Sequence, residues 1–242
     1  MLKILRLRYL LQYFYLNKSG TERVLILFSA FTIGLSLTRV VYTGESMFLW
    51  LNWNLFLAFV PFYISRWATR NAERIENNRL FTLLFAAWLL FIPNAFYIIT
   101  DLFHLQEGTA VPLWFDLALI FSFAWNGLLL GILSVRQMEK IIKRKWRFSE
   151  VLFVYPIMFL NALGIYIGRY LRYNSWDVVS SPFQLISDVV YLLVHPVRNR
   201  FDWSMILCFS IFMTLLYISM KRISREMGRD ESSRQRAVRY RG

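Results

Sequence analysis

The stretch PLWFDLALIFSFAWNGLLLGILSV, residues 112–135, decides the fold. It carries a single charge, Asp116, near its start, and at 1.5 Å per residue a helix of this length crosses the roughly 30 Å hydrocarbon core of a bilayer. Its apolar residues run on without the period-two alternation of a membrane-barrel strand. Outward from it, five more runs have the same character: 24–42, 47–65, 80–100, 151–170 and 204–220. The whole chain agrees. With 57% hydrophobic residues over 242 positions and a mean hydropathy of +0.42, it is too apolar for an ordinary soluble domain.

The charge sorts itself around these runs. Of 28 Lys and Arg residues, 23 lie in 1–23, 66–79, 136–147 and 221–242, while the connections 43–46 and 101–111 hold none. Counting acids too, one side carries +15 and the other −2. The net +13 is thus a topology signature and not a nucleic-acid footprint, and an even number of spans with both termini cytoplasmic satisfies the positive-inside rule. The expected fold is all-α: a polytopic membrane bundle of six transmembrane helices over 24–220, flanked by two cytoplasmic segments. Residues 1–23 lack a cleavage pattern and are expected to form an interfacial amphipathic helix. The basic tail 221–242 is expected to be partly disordered or bound to the membrane surface. Cys208, alone in the chain, reads as a small packing residue inside the last span.

Between spans five and six, residues 182–195 (PFQLISDVVYLLVH) place Phe183, Ile186, Val189, Val190 and Leu193 against Gln184, Asp188, Tyr191 and His195. These are two faces of one helix, with Ser181 and Pro182 as its start signal and Pro196 as its stop. Were it to span, the eight basic residues of the tail would face outward, so an outer interfacial or re-entrant helix is expected. It either covers the bundle or acts as a lid.

Gly127 with Gly131, and Gly164 with Gly168, are small-xxx-small pairs suited to close helix approach, within the chain or in a homo-oligomer. Asn94, Asn126 and Asn161 fall inside spans, where an amide needs a partner across helices.

The polar chemistry gathers at the outer ends of spans three to five. Asn94, Tyr97, Asp101 and His104 are spaced 3, 4 and 3, one face of an α-helix, with Pro93 able to redirect it. Asp116 lies a turn inside span four. Span five ends with Arg169 and Arg172, followed by Trp176 and Asp177. Of the five cations off the basic side, Arg39 reads as a helix-end residue, and Arg198 and Arg200 sit near Asp202. Arg169 and Arg172 therefore mark the site. Two readings compete. In one, Asp101, Asp116 and Asp177 neutralise the Arg pair and lock helix ends together. In the other, the pair binds phosphate or carboxylate, an anionic lipid head group or an envelope precursor, with Asp101 and His104 as acid–base candidates. There is no HExxH pattern, Cys/His cluster, P-loop, dinucleotide glycine pattern or nucleophile elbow, so neither metal nor cofactor is expected. An enzyme acting on a lipid-linked or phosphorylated substrate and a small transporter are the alternatives to a binding protein.

At these same residues the chain resembles the bacterial integral-membrane family known as domain of unknown function 1361. The likeness rests on WLLFIPNAFYIITDLFHL (88–105), PLWFDLALIFSFAWNGLLLG (112–131) and GIYIGRYLRYNSWDVV (164–179), and is expected to extend over most of 24–220. It implies a multi-pass protein of a bacterial inner membrane and brings no activity, cofactor or catalytic residue with it.

Overall fold

The computed structural model describes residues 19–146, 149–173 and 177–239, the side chains of Val179 and of 230–239 excepted, and every regular element among them is helical. In chain order these are α1 (Gly20–Thr43), α2 (Trp50–Arg70), a 3-10 turn (Arg74–Glu76), α3 (Asn78–Tyr97) and its 3-10 continuation (Ile98–His104). Then come α4 (Leu113–Trp146), α5 (Glu150–Arg169), the short α6 (Asp177–Ser180), α7 (Pro182–Val194) and α8 (Arg200–Arg239). Five of them, α1, α3 with its continuation, α4, α5 and α8, are long and apolar enough to cross a membrane, which makes this a multi-pass membrane protein. The second expected span, α2, has the length at 21 residues but opens with Trp50, Asn52, Trp53 and Asn54 and falls short in apolarity.

The basic stretch after span four is not a loop as far as Trp146, because α4 carries it as helix, reaching about 50 Å at 1.5 Å per residue. The tail, expected to be partly disordered or bound to the membrane surface, continues α8 as helix through Arg239. Of the interfacial segment 1–23, residues 1–18 lie outside the described residues, and its last four form the first turn of α1. That turn is closed by a capping box in which Ser19 N–H donates to Glu22 Oε2 at 2.9 Å and Glu22 N–H to Ser19 Oγ at 3.4 Å.

The chain divides into two compact units between Gln137 and Met138. In the first, α1 is amphipathic in the inverted sense. It buries Leu25, Ser29, Thr32, Ser36 and Arg39, spaced 4, 3, 4 and 3, and exposes Leu27, Phe31, Leu37 and Val41. Polar inside and apolar outside is the pattern of a helix solvated by lipid. Asn126 of α4 donates to Ser29 Oγ at 2.8 Å, the cross-helix bond expected of it. Asn94 donates to the Phe91 carbonyl of its own helix at 3.0 Å. The α4 glycine pair lies directly on α3: a Cβ on Gly127 would come within 2.8 Å of the Ala95 carbonyl oxygen, and one on Gly131 within 2.9 Å of the Phe96 ring. Deeper in this unit Ser134 Oγ accepts from Trp88 Nε1 at 2.8 Å, donates to the Pro61 carbonyl at 2.9 Å and lies 3.0 Å from Ser65 Oγ.

In the second unit α5 packs along α8. Asn161 of α5 is fully buried, and neither of its amide atoms is hydrogen-bonded among the described residues, unlike the cross-helix bond expected. Gly164 and Gly168 are half-buried. Cys208 is exposed on α8, a correction to its reading as a packing residue. Helix α7 turns its apolar stripe outward, with Phe183 at 87% and Ile186 at 58% exposure, and Asp188 on its other face accepts a 2.8 Å bond from Tyr173 Oη. It is seated by Leu192, and by Trp203 Nε1 donating to the Leu192 carbonyl at 3.2 Å. Ser181 precedes it as expected, but its side chain makes no capping bond.

Candidate functional site

One end of the first unit is formed by the C-terminus of α1, the start of α2, the 3-10 segment after α3 and the start of α4. There the cation that meets Asp116 is Arg39, the residue set aside as a helix end. Arg39 Nε donates to Asp116 Oδ1 at 2.7 Å and Nη2 to Oδ2 at 3.4 Å, with neither side chain more than 1% exposed. Thr109 Oγ1 lies 2.9 Å from Asp116 Oδ2. Beneath the guanidinium the Phe48 ring sits 4.9 Å away. Phe48 reaches that position with left-handed backbone, φ 68, an outlier for a bulky residue that the surrounding packing must hold in place. Arg39 Nη1 makes no hydrogen bond among the described residues, and its ion partner is Glu45 at 3.7 Å. A fork on a carboxylate over an aromatic floor is the arrangement in which a buried guanidinium is best compensated. The stripe Ser29, Thr32, Ser36 and Arg39, on one face of a helix otherwise apolar, was the sequence signal for it.

The expected single face of Asn94, Tyr97, Asp101 and His104 is broken. Beyond Tyr97 the helix tightens to three residues per turn, so Asp101 and His104 align with Ile98 while Asn94 and Tyr97 stay with the preceding α-helix. Asp101 is fully buried and Asn54 Nδ2 donates to its Oδ2 at 3.0 Å; the half-buried His104 ring meets the Trp50 ring edge-on at 5.1 Å. Asn94 and Tyr97 are half-buried.

In the second unit Arg169 closes α5, and Arg172 follows in left-handed backbone, φ 61, exposed to its surroundings. The Tyr173 N–H donates to the Ile167 carbonyl at 3.2 Å and closes the helix end around it. Asp177 opens α6 and accepts from Ser180 Oγ at 2.9 Å. Trp176 lies outside the described residues.

At the other end of this unit is a charged centre that sequence reasoning missed. Lys221 Nζ lies 2.7 and 2.8 Å from the two oxygens of Glu139 and 2.6 Å from Glu150 Oε1, and Tyr217 Oη donates to Glu139. Lys221, Glu139 and Tyr217 are all buried. Lys143 and Arg225, about half-exposed, stand 3.7 and 3.8 Å from Glu150. The hydrogen bond from Lys221 holds the Glu150 carboxyl below its ordinary value, against the effect of its burial. The signals were Glu139, the single acid in the run 136–147, and the four-residue spacing of Tyr217 and Lys221. Among the described residues no three His, Cys, Asp or Glu side chains come together as a metal site.

The model of the family described as "Protein of unknown function (DUF1361)" matches residues 53–218. No curated protein and no solved structure matches the chain. The chain belongs to the DUF1361 family.

Proposed function

We propose that this DUF1361 protein is a binding or accessory protein of a bacterial inner membrane, spanning it six times with both ends cytoplasmic. It recognises an anionic group, the phosphate or carboxylate of a lipid or envelope-precursor head group, at its outer face. The arginines that end α5 are the recognition element.

The observation that carries this reading is Arg172. A left-handed backbone costs an ordinary residue about 1–2 kcal/mol, and glycine nothing comparable. An exposed arginine occupies that position, φ 61, where glycine would close the helix more cheaply. Asp116 has its own guanidinium in Arg39, so the network that would have used the α5 arginines to neutralise it loses its main reason. The enzyme reading has less support: Asp101 is sealed from solvent on Asn54, and His104 is turned against Trp50. A transporter reading would run through Asn126, which is fully buried and bonded to Ser29.

The test uses Arg172→Gly in the full chain, with an isoprenoid monophosphate added to the purified protein and occupancy read by native mass spectrometry. The variant is expected to keep or slightly raise its thermal midpoint and to lose the bound lipid. Undiminished lipid binding, or a midpoint that falls with binding intact, assigns the arginine to structure instead.

A further inference from the structure

At the basic end of the first unit, α1 and α2 line a cavity of about 220 Å³. That is below the roughly 300–1,000 Å³ of a pocket that encloses a whole drug-sized ligand. Its walls are Ile26 of α1 and Phe59, Tyr63 and Trp67 of α2, of which Tyr63 is 63% exposed, so the space opens sideways along the helix pair. Its mouth carries Arg66 and Arg70 against one carboxylate, Glu22.

The charges at that mouth are unequally engaged. Glu22 Oε2 accepts from both the N–H and Oγ of Ser19, and Oε1 is held by Arg66, whose guanidinium lies 5.9 Å over the Phe62 ring. Burial pushes the Glu22 carboxyl up, but Ser19 and Arg66 outweigh it and leave it below its ordinary value. Arg70 reaches the same oxygen only at 3.9 Å and is 61% exposed. One Glu against two Arg leaves a net positive mouth, and Arg70 is the cation with room to turn. An apolar aromatic slot that ends in an exposed guanidinium beside the first turn of α1, a helix long and apolar enough to span, matches an acyl chain joined to a phosphodiester.

We infer that the α1–α2 groove is a binding site for an anionic phospholipid, with a stretch of acyl chain along Phe59, Tyr63 and Trp67 and the phosphate on Arg70. With the termini cytoplasmic, that lipid belongs to the inner leaflet. The arginines that end α5 are not among the residues lining this groove, and only its leaflet rests on the proposed topology.

The test titrates the purified full chain with phosphatidylglycerol and, separately, with phosphatidylcholine of the same acyl chains, and reads occupancy by native mass spectrometry. Phosphatidylglycerol is expected to bind several-fold more tightly. Arg70→Gln lowers that preference by about fivefold, the equivalent of the roughly 1 kcal/mol that one basic residue contributes near a charged lipid surface. Ile26→Trp, which fills the slot from a part-exposed position, weakens both lipids, while Arg198→Gln, an exposed arginine of the other unit, leaves the preference unchanged. Equal binding of the two lipids by the parent protein overturns the inference. So does a preference that survives Arg70→Gln, or one that Arg198→Gln reduces as much.

Discussion

Among the described residues each unit buries one basic residue against carboxylates, and the two centres are built on opposite principles. Arg39 meets Asp116, 77 residues away, one fork on one carboxylate, over the Phe48 ring and with almost no exposure. Lys221 is a point charge shared by two glutamates and a tyrosine, with two half-exposed cations beside it. The first centre has specificity without reserve. The second has reserve: if one member is lost, Lys143 or Arg225 can move to the oxygen left behind. It also reaches the surface through Glu150, Lys143 and Arg225, whereas the first is fully buried apart from Glu45.

The largest effect is expected where reserve is absent. Asp116→Ala leaves a buried guanidinium with Glu45 at 3.7 Å as its remaining carboxylate among the described residues, and should destabilise the protein by about 3–5 kcal/mol, read as a lowered thermal midpoint in detergent. The double change Arg39→Met with Asp116→Leu should recover most of it. A loss near 1 kcal/mol for the single variant would dissolve the contrast. Lys221→Met comes next, at about 2 kcal/mol, because Tyr217 stays bonded to Glu139 and Lys143 stands 4.0 Å from the same carboxylate. If it proved as damaging as Asp116→Ala, the reserve would be illusory. The smallest effect is that of Glu150→Gln, and its sign is set by pH. Because Lys221 keeps the folded carboxyl below its ordinary 4.5, the contribution of Glu150 is complete above that value and is lost as pH falls through the lower folded value. The gap in thermal midpoint between parent and variant should therefore hold from pH 7 down to about 4.5 and close below it. A gap that widens in acid contradicts the assignment.

Five of the spans were legible because bilayer thickness writes itself into run length; over the sixth, 47–65, lies a helix that is long enough but falls short in apolarity. The ends were not legible in the same way. Hydropathy falls off where Arg136 and Lys221 begin, but a helix needs no apolar residues to continue, so α4 and α8 run past the points where charge suggested a stop. The Gly127 and Gly131 contact with α3 was readable because only a missing Cβ permits it. The partner of Asp116 was not. Sequence order made Arg169 and Arg172 the neighbours at hand, while the polar stripe that brings Arg39 to it has the ordinary spacing of any helix face. The change to three residues per turn after Tyr97 left no mark in composition, and it split the four residues of span three that α-helical spacing had joined.

The inverted face of α1 has a consequence for how the chain is made. Arg39 leaves the ribosome 77 residues ahead of Asp116, a delay of about 4–15 s at about 5–20 residues per second. For that interval a nascent helix with apolar residues on its outer side holds a guanidinium and the Ser29 hydroxyl, whose partners Asp116 and Asn126 have yet to be made. Lateral release into lipid at that stage would expose a charge whose insertion costs up to about 2.5–3.5 kcal/mol at a helix centre. Biogenesis of this protein is thus non-local. The Arg39–Asp116 pair forms only after α4 has been made, and until then Glu45 is the carboxylate within reach of the guanidinium.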